Sequence, residues 1–121
     1  MVRRAILTFA AVSMLAACNL EESVGGLVRA LAAELGPLGI RVNAVHPTAV
    51  DTAMIHNEAT YRLFGVADRA GAAAAFAGLH PLGVPWVQPE DVSAAVAFLV
   101  SAEARFVTGV GLPVDAGLSA R

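Results

Sequence analysis

The sequence predicts an α/β fold with parallel strands, and three observations carry that prediction. A stretch with helical spacing of apolar residues leads through a Gly-Pro turn into an alternating apolar stretch. A second helical stretch leads into a second strand-like one. The order helix, strand, long loop with a helix, helix, strand suits parallel strands joined by a right-handed crossover. In chain order, Val24, Leu27, Val28, Leu31 and Leu35 recur every three or four residues, with Arg29 and Glu34 off the stripe. Ser23 suits the N-cap of this helix, and Gly36-Pro37 with Gly39 stops it. Ile40 to His46 alternates and ends at Pro47, giving a strand of about seven residues. Thr48 to Pro85 has no single period, but its alanine-rich centre predicts one short helix between Asp68 and Gly78. Pro81, Gly83 and Pro85 mark a loop. Pro89-Glu90-Asp91 opens a further helix, where proline lacks only an N–H that the first turn does not use and acids face the positive dipole end. Val92, Val96, Leu99 and Val100 form its apolar face, and Gly109 to Asp115 follows as the last strand.

At 121 residues the chain has room for one core. Its hydrophobic share of 57% exceeds the globular average and its charges nearly balance, so no basic stripe points to nucleic acid. All eight basic residues are arginines; there is no lysine. The single cysteine, Cys18, excludes an internal disulfide framework. His46, His56 and His80 lack the close pairing of a metal-binding helix, so no metal site is assigned and they read as packing or hydrogen-bonding residues.

Residues 1–23 differ from residues 24–121 and are read as a separate, apolar N-terminus. Val2-Arg3-Arg4 precedes the apolar run Ala5 to Ala17, a charged head and short apolar stretch in the manner of a secretory signal. Leu15-Ala16-Ala17-Cys18 resembles a lipoprotein box, which would make Cys18 an acylated, membrane-anchored N-terminus. The alternatives are a buried strand or helix, or a displaced leader on a cytoplasmic protein.

Gly26 to Gly36 followed by Ile40-Arg41-Val42-Asn43-Ala44-Val45-His46-Pro47 resembles the short-chain dehydrogenase/reductase family. So do Pro89-Glu90-Asp91-Val92 through Phe98-Leu99, Val107-Thr108-Gly109 and Pro113-Val114-Asp115-Ala116-Gly117, in the same order. Residues 46–57, Tyr61-Arg62-Leu63-Phe64 and Val84-Pro85-Trp86-Val87 are similar to its mycofactocin-coupled, carveol dehydrogenase-like branch. The resemblance implies the C-terminal portion of a Rossmann-like, doubly wound parallel sheet. It also implies NAD as cofactor and a small hydrophobic alcohol or ketone, such as a terpenoid, as substrate.

In an open α/β sheet a ligand sits beyond the carboxyl ends of the strands, and Pro47 ends such a strand. By resemblance, Val50 holds the nicotinamide carboxamide through its backbone. Thr52 offers its hydroxyl to the carboxamide or the adjacent phosphate, and Pro47 and Thr48 shape the approach to the ring. Many family members have glycine where Thr48 stands. Met54, His56, Tyr61, Phe64 and Trp86 fall in or near the substrate-binding loop, and Phe64 and Trp86 read equally well as residues closing the core there.

The family's hydride transfer needs a tyrosine as general acid/base, a lysine four residues later and a serine. Aligned back from Gly26, the tyrosine position is Ala17 and the lysine position Glu21. If Ile6-Leu7-Thr8-Phe9 is the preceding strand, the serine position falls near Ala11. Tyr61 lies on the wrong side of the strand to substitute. The Gly-rich turn that cradles a pyrophosphate is also missing, since Gly109 and Gly111 have no helix after them. The expectation is a truncated oxidoreductase, inactive alone, that associates with itself or with a complementary N-terminal half. The alternatives are a non-catalytic oligomerisation module, using the helix near Val24 and the last strand, and a lipoprotein remnant.

Overall fold

The computed structural model describes the backbone of residues 6–10 and 17–120, with side chains from Glu22 onward. Arg3-Arg4, Ala11 and Leu15-Ala16, which entered the readings above, lie outside the described residues. Strand β1 (Ile6–Ala10), helix α1 (Ala17–Leu35) and strand β2 (Arg41–Pro47) form a β-α-β unit. Helices α2 (Glu58–Leu63), α3 (Arg69–Ala77) and α4 (Pro89–Val100) follow, then strand β3 (Gly111–Val114). The sheet order is β1-β2-β3 and both pairings are parallel. Ile6 lies opposite Arg41 and Ala10 opposite Val45, while Ala44 lies opposite Gly111 and Pro47 opposite Val114.

The predicted α/β class therefore holds, with several differences in detail. Ser23 is not an N-cap: α1 begins at Ala17 and runs through it, so the helix crosses the boundary drawn at residues 23 and 24. Ile6–Ala10 forms a third strand, where only two had been counted. Gly36-Pro37 does end the α-helix, through a short 3₁₀ turn that Gly39 closes with φ 74° and an N–H bond to the Gly36 carbonyl. That left-handed conformation is one a side chain would disfavour. Strand β2 starts at Arg41 rather than Ile40 and includes Pro47. The last strand is shorter than expected, although Gly109 N–H still bonds the Val42 carbonyl at 2.7 Å.

Two apolar clusters hold the molecule. In the first, Val28 and Ala32 of α1 meet Val42 and Ala44 of β2, with Val24, Leu31, Leu35 and Ile40 around them. Leu27, expected on that stripe, is half exposed, because Ala32 takes the inward position instead. Val42 to Val45 are buried in succession, as in a strand covered on both faces. Buried Asn43 bridges the crossing: its Nδ2 donates to the Val107 carbonyl and its Oδ1 accepts from Val110 N–H. In α4, Leu99 is buried but Val100 is exposed, so that face is narrower than the sequence stripe.

The second cluster builds a lid over the strand ends. Ala49, Ile55, Ala72 and Phe76 are buried, with Tyr61, Phe64, Val66 and Trp86 packed on them. Helix α3 forms where the sequence placed it, with the Asp68 carboxylate accepting Gly71 N–H at its start and Gly78 at its end. Helix α2 was not foreseen; the Asn57 side chain caps it by accepting Thr60 N–H at 2.9 Å.

Candidate functional site

The site lies at the carboxyl end of β2, where the chain leaves the sheet. Pro47 and Thr48 are buried, and Thr48 N–H bonds the Val114 carbonyl at 3.2 Å, continuing the β2–β3 pairing. Val50 then pairs with Val87 in an isolated parallel bridge. Val87 N–H bonds the Ala49 carbonyl at 3.0 Å and Asp51 N–H bonds the Val87 carbonyl at 2.9 Å. In this pattern the central residue turns its own N–H and C=O away from its partner. The backbone of Val50 is thus aimed outward, and no described residue bonds its N–H. A polar backbone group left open at a strand end is the feature a carboxamide ligand needs. Thr52 lies beside it, its hydroxyl donating to the Val50 carbonyl at 3.3 Å.

Thr48 is held from below rather than presented to a ligand. Its hydroxyl lies 2.8 Å from Nε2 of His80, a residue only 3% exposed, and His80 Nδ1 lies 2.7 Å from the Val84 carbonyl. A carbonyl only accepts, so Nδ1 carries the hydrogen and, in the neutral ring, Nε2 accepts from Thr48. The Thr48 hydroxyl hydrogen is committed inward, and its backbone shapes the loop.

The residues expected to line a substrate space separate into two groups. His56, Tyr61, Phe64 and Trp86 are brought together in the lid, whereas Met54 is 68% exposed and only its carbonyl is engaged, by Asn57 Nδ2 at 2.7 Å. Phe64 and Trp86 both pack on Phe76, with ring centroids at 4.7 and 6.4 Å. Their apolar bodies therefore serve the lid core. His56 meets Trp86 edge-on at 4.7 Å, and the Tyr61 hydroxyl is 3.4 Å from His56 Nδ1.

Asp51, Arg69 and Gln88 were given no role from the sequence, whereas His80, read there as a packing or hydrogen-bonding residue, is buried and hydrogen-bonded through both ring nitrogens. Asp51 accepts from His56 Nε2 at 2.7 Å, from Arg69 Nη2 at 2.8 and 2.9 Å, and from Gln88 Nε2 at 3.4 Å. Desolvation alone would raise the Asp51 carboxyl; the bonds from His56, Arg69 and Gln88 and the Arg69 charge outweigh it and hold the group below the usual carboxylate range. Its partners stand 5, 18 and 37 positions away, so no local spacing announces them. For His80, the one available signal was a histidine set before proline in the Pro/Gly-marked loop.

The positions matched to the family's tyrosine and lysine, Ala17 and Glu21, lie one turn apart at the start of α1. A cleft of about 330 Å³ between Arg41, Arg105 and Phe106 lies at the opposite end of β2 and is separate from this site.

Known proteins resemble this chain in sequence and in fold. The family model described as enoyl-(acyl carrier protein) reductase matches residues 14–119. The (-)-trans-carveol dehydrogenase of Rhodococcus erythropolis is 48% identical over 101 residues, 80% of this chain and 36% of that protein. The (-)-isopiperitenol/(-)-carveol dehydrogenase of Mentha piperita is 44% identical over 93 residues, 77% of this chain and 33% of that one. The crystal structure of carveol dehydrogenase from Mycobacterium avium in complex with NAD superposes with a TM-score of 0.88 at 40% identity, covering 99% of this chain and 48% of that one. The chain spans about a third of the length of the curated relatives it matches. With the family model matching residues 14–119 of this chain, the chain belongs to the short-chain dehydrogenase/reductase family and is similar to its carveol dehydrogenases.

Proposed function

We propose that residues 47–52 hold the nicotinamide end of NAD and that the lid forms one wall of a site for a small hydrophobic alcohol or ketone. The observation that carries this is the outward-facing backbone of Val50, clamped by Val87 on its other side. The carveol dehydrogenases among the relatives support a terpenoid-like substrate, and residues 46–57 support the mycofactocin-coupled branch. NAD, when bound, would supply the hydride chemistry. The chain's own part is to fix the carboxamide through Val50, to offer Thr52 beside it, and to exclude water with Phe64, Phe76 and Trp86.

The acid/base pair and the pyrophosphate cradle must come from residues other than these, since the 121 residues contain no lysine and no Gly-rich strand-to-helix turn. On this reading the chain does not turn over alcohol by itself. Titration of the purified chain with NAD should give no saturation in the millimolar range. Mixing or fusing it with a segment that carries a Gly-rich turn and a Tyr-Lys pair should give saturable binding and oxidation of carveol. Saturable binding and turnover by the chain alone would overturn the proposal, as would a fused protein that folds yet binds no NAD.

A second reading, self-association, is favoured by the exposure of Leu27, Phe98, Val100 and Phe106 together with the free outer edge of β1 among the described residues. The cytoplasm is the compartment proposed. Among the described residues no helix is long and apolar enough to cross a membrane. Lipoprotein processing before Cys18 would also remove β1, which pairs with β2 over five residues.

A further inference from the structure

The proposed site has a cofactor side, the loop around Val50, and a substrate side, the lid, and one carboxylate touches both. Asp51 directly follows Val50, and its N–H belongs to the bridge that turns the Val50 backbone outward. Its side chain, 19% exposed, gathers Arg69 from the first residue of α3, His56 from the turn before α2, and Gln88 from the segment after Trp86. Arg69 in turn lies over the Trp86 ring, 4.9 Å from its centroid, while His56 meets the same ring edge-on. Trp86 is thereby clamped between two side chains that share one anchor.

The chemistry of this anchor is directional. A carboxylate accepts on both oxygens, so it takes the two contacts of Arg69 and the His56 hydrogen at once. An ionised Asp51 also assigns the His56 tautomer: Nε2 carries the hydrogen, and Nδ1 in the neutral ring is a bare acceptor turned toward Tyr61. Asparagine at the same size keeps one accepting oxygen but carries no charge, and it sets an NH₂ donor where the second oxygen stood. According to which way the amide turns, either His56 Nε2 loses its acceptor or Arg69 Nη2 and Gln88 Nε2 face a donor.

We propose that Asp51 is a positioning residue that couples the two sides of the site, fixing His56 and Trp86 against the loop whose Val50 backbone faces the cofactor. This rests on the functional reading above for the meaning of the two sides, but the coupling itself is argued from contacts within the chain. Trp86 is the single tryptophan, so its fluorescence reports on the clamp without labelling.

The test uses the full chain, with Asp51→Asn, Arg69→Gln and, as control, Asp68→Asn, which keeps a cap on α3. Arg69 is 56% exposed, so its replacement leaves the fold intact even if Asp51→Asn does not fold. Expected are at least a twofold rise in acrylamide quenching of Trp86 in both clamp variants and little change in Asp68→Asn. Expected also is ¹⁵N imidazole spectroscopy that shows His56 protonated at Nε2 in the parent and a mixture of tautomers in Asp51→Asn. A merely structural role would loosen the lid without altering the His56 tautomer. Unchanged His56 signals, unchanged quenching in Arg69→Gln, or an equal response in Asp68→Asn would each overturn the proposal. None of these readouts involves NAD, so failure of the cofactor titration leaves them interpretable.

Discussion

Replacing Phe76 by alanine should unfold the lid while leaving the sheet folded. Phe76 is 2% exposed and stands at the centre of the second cluster, against Phe64, Trp86, Ala49, Ile55 and Ala72. A buried aromatic side chain removes roughly 150–250 Å² from water, and truncation to alanine in a core costs about 3–5 kcal/mol once the cavity is included. A segment of about 35 residues, the span from Ala53 to Val87, carries on the order of 2–5 kcal/mol at typical stability per residue. The perturbation matches the whole local stability, so partial loosening is not the expected outcome.

The sheet should be spared because the first cluster shares no residue with the second. Hydrogen exchange followed by mass spectrometry separates the two cases. Peptides from α2 and α3 should lose nearly all protection in Phe76→Ala, while those from α1 and β2 stay within about tenfold of the parent, a change of about 1.4 kcal/mol. Trp86 emission should shift to the red, and Phe76→Leu should recover part of the protection. A loss below about 1 kcal/mol in the lid, or equal losses in lid and β2, would refute the claim that the two clusters are independent units.

Two further predictions concern polar ties. Thr48→Val keeps the shape but strips the donor from buried His80 Nε2, and should cost about 1–3 kcal/mol in urea denaturation, whereas Thr48→Ser keeps the bond and should cost clearly less. Acid should release the lid only at low pH. Burial would raise the Asp51 and Asp115 carboxyls, but the bonds from His56, Arg69 and Gln88 to the first, and from Ser119 and Gly117 to the second, lower both below the ordinary 3.8. Native groups of lowered pKa contribute stability that is fully present above the unfolded value and lost as pH falls through the native one. The melting temperature followed by Trp86 fluorescence should therefore stay level from pH 7 to about 5 on account of these groups, then fall most steeply below 3.8. In Asp51→Asn this acid-dependent loss should be smaller.

What the sequence revealed follows the range of the interactions involved. Helix α3 was readable because Asp68 and Gly78 bracket a run of good helix formers within eleven residues. Helix α2 was not, since Glu58–Leu63 is too short to display a stripe and its Asn57 cap resembles any loop asparagine. Ser23 suggested a helix start, yet the helix continues on both sides of it because serine is only mildly unfavourable inside a helix. Resemblance located the Val50 loop. The reason its backbone faces outward is the pairing with Val87, 37 residues away, which no local pattern encodes. The Asp51 clamp was hidden for the same reason, as was the commitment of the Thr48 hydroxyl to His80.

The ties that shape the candidate site run within the chain, from Val50 to Val87, Thr48 to His80 and Asp51 to Arg69. Preorganisation of this kind lowers the ordering cost of binding but adds no contacts. One or two backbone hydrogen bonds to a carboxamide contribute about 0.5–1.5 kcal/mol each. The resulting total, about 0.5–3 kcal/mol, falls short of the roughly 4 kcal/mol that a millimolar Kd requires. A pyrophosphate cradle supplies several charge-assisted bonds at a helix N-terminus, and those would make up the difference. A rigid loop at residues 47–52, if it takes the nicotinamide as proposed, is thus compatible with the absence of saturable NAD binding predicted for the chain alone. The affinity gained on adding a cradle should appear without any rearrangement of residues 47–52. Amide chemical shifts of Val50 and Thr52 that already match those of the joined protein, before cofactor is added, would bear this out. Large shifts on joining would mean that the loop is shaped by the other segment, and the Val87 bridge would lose its assigned role.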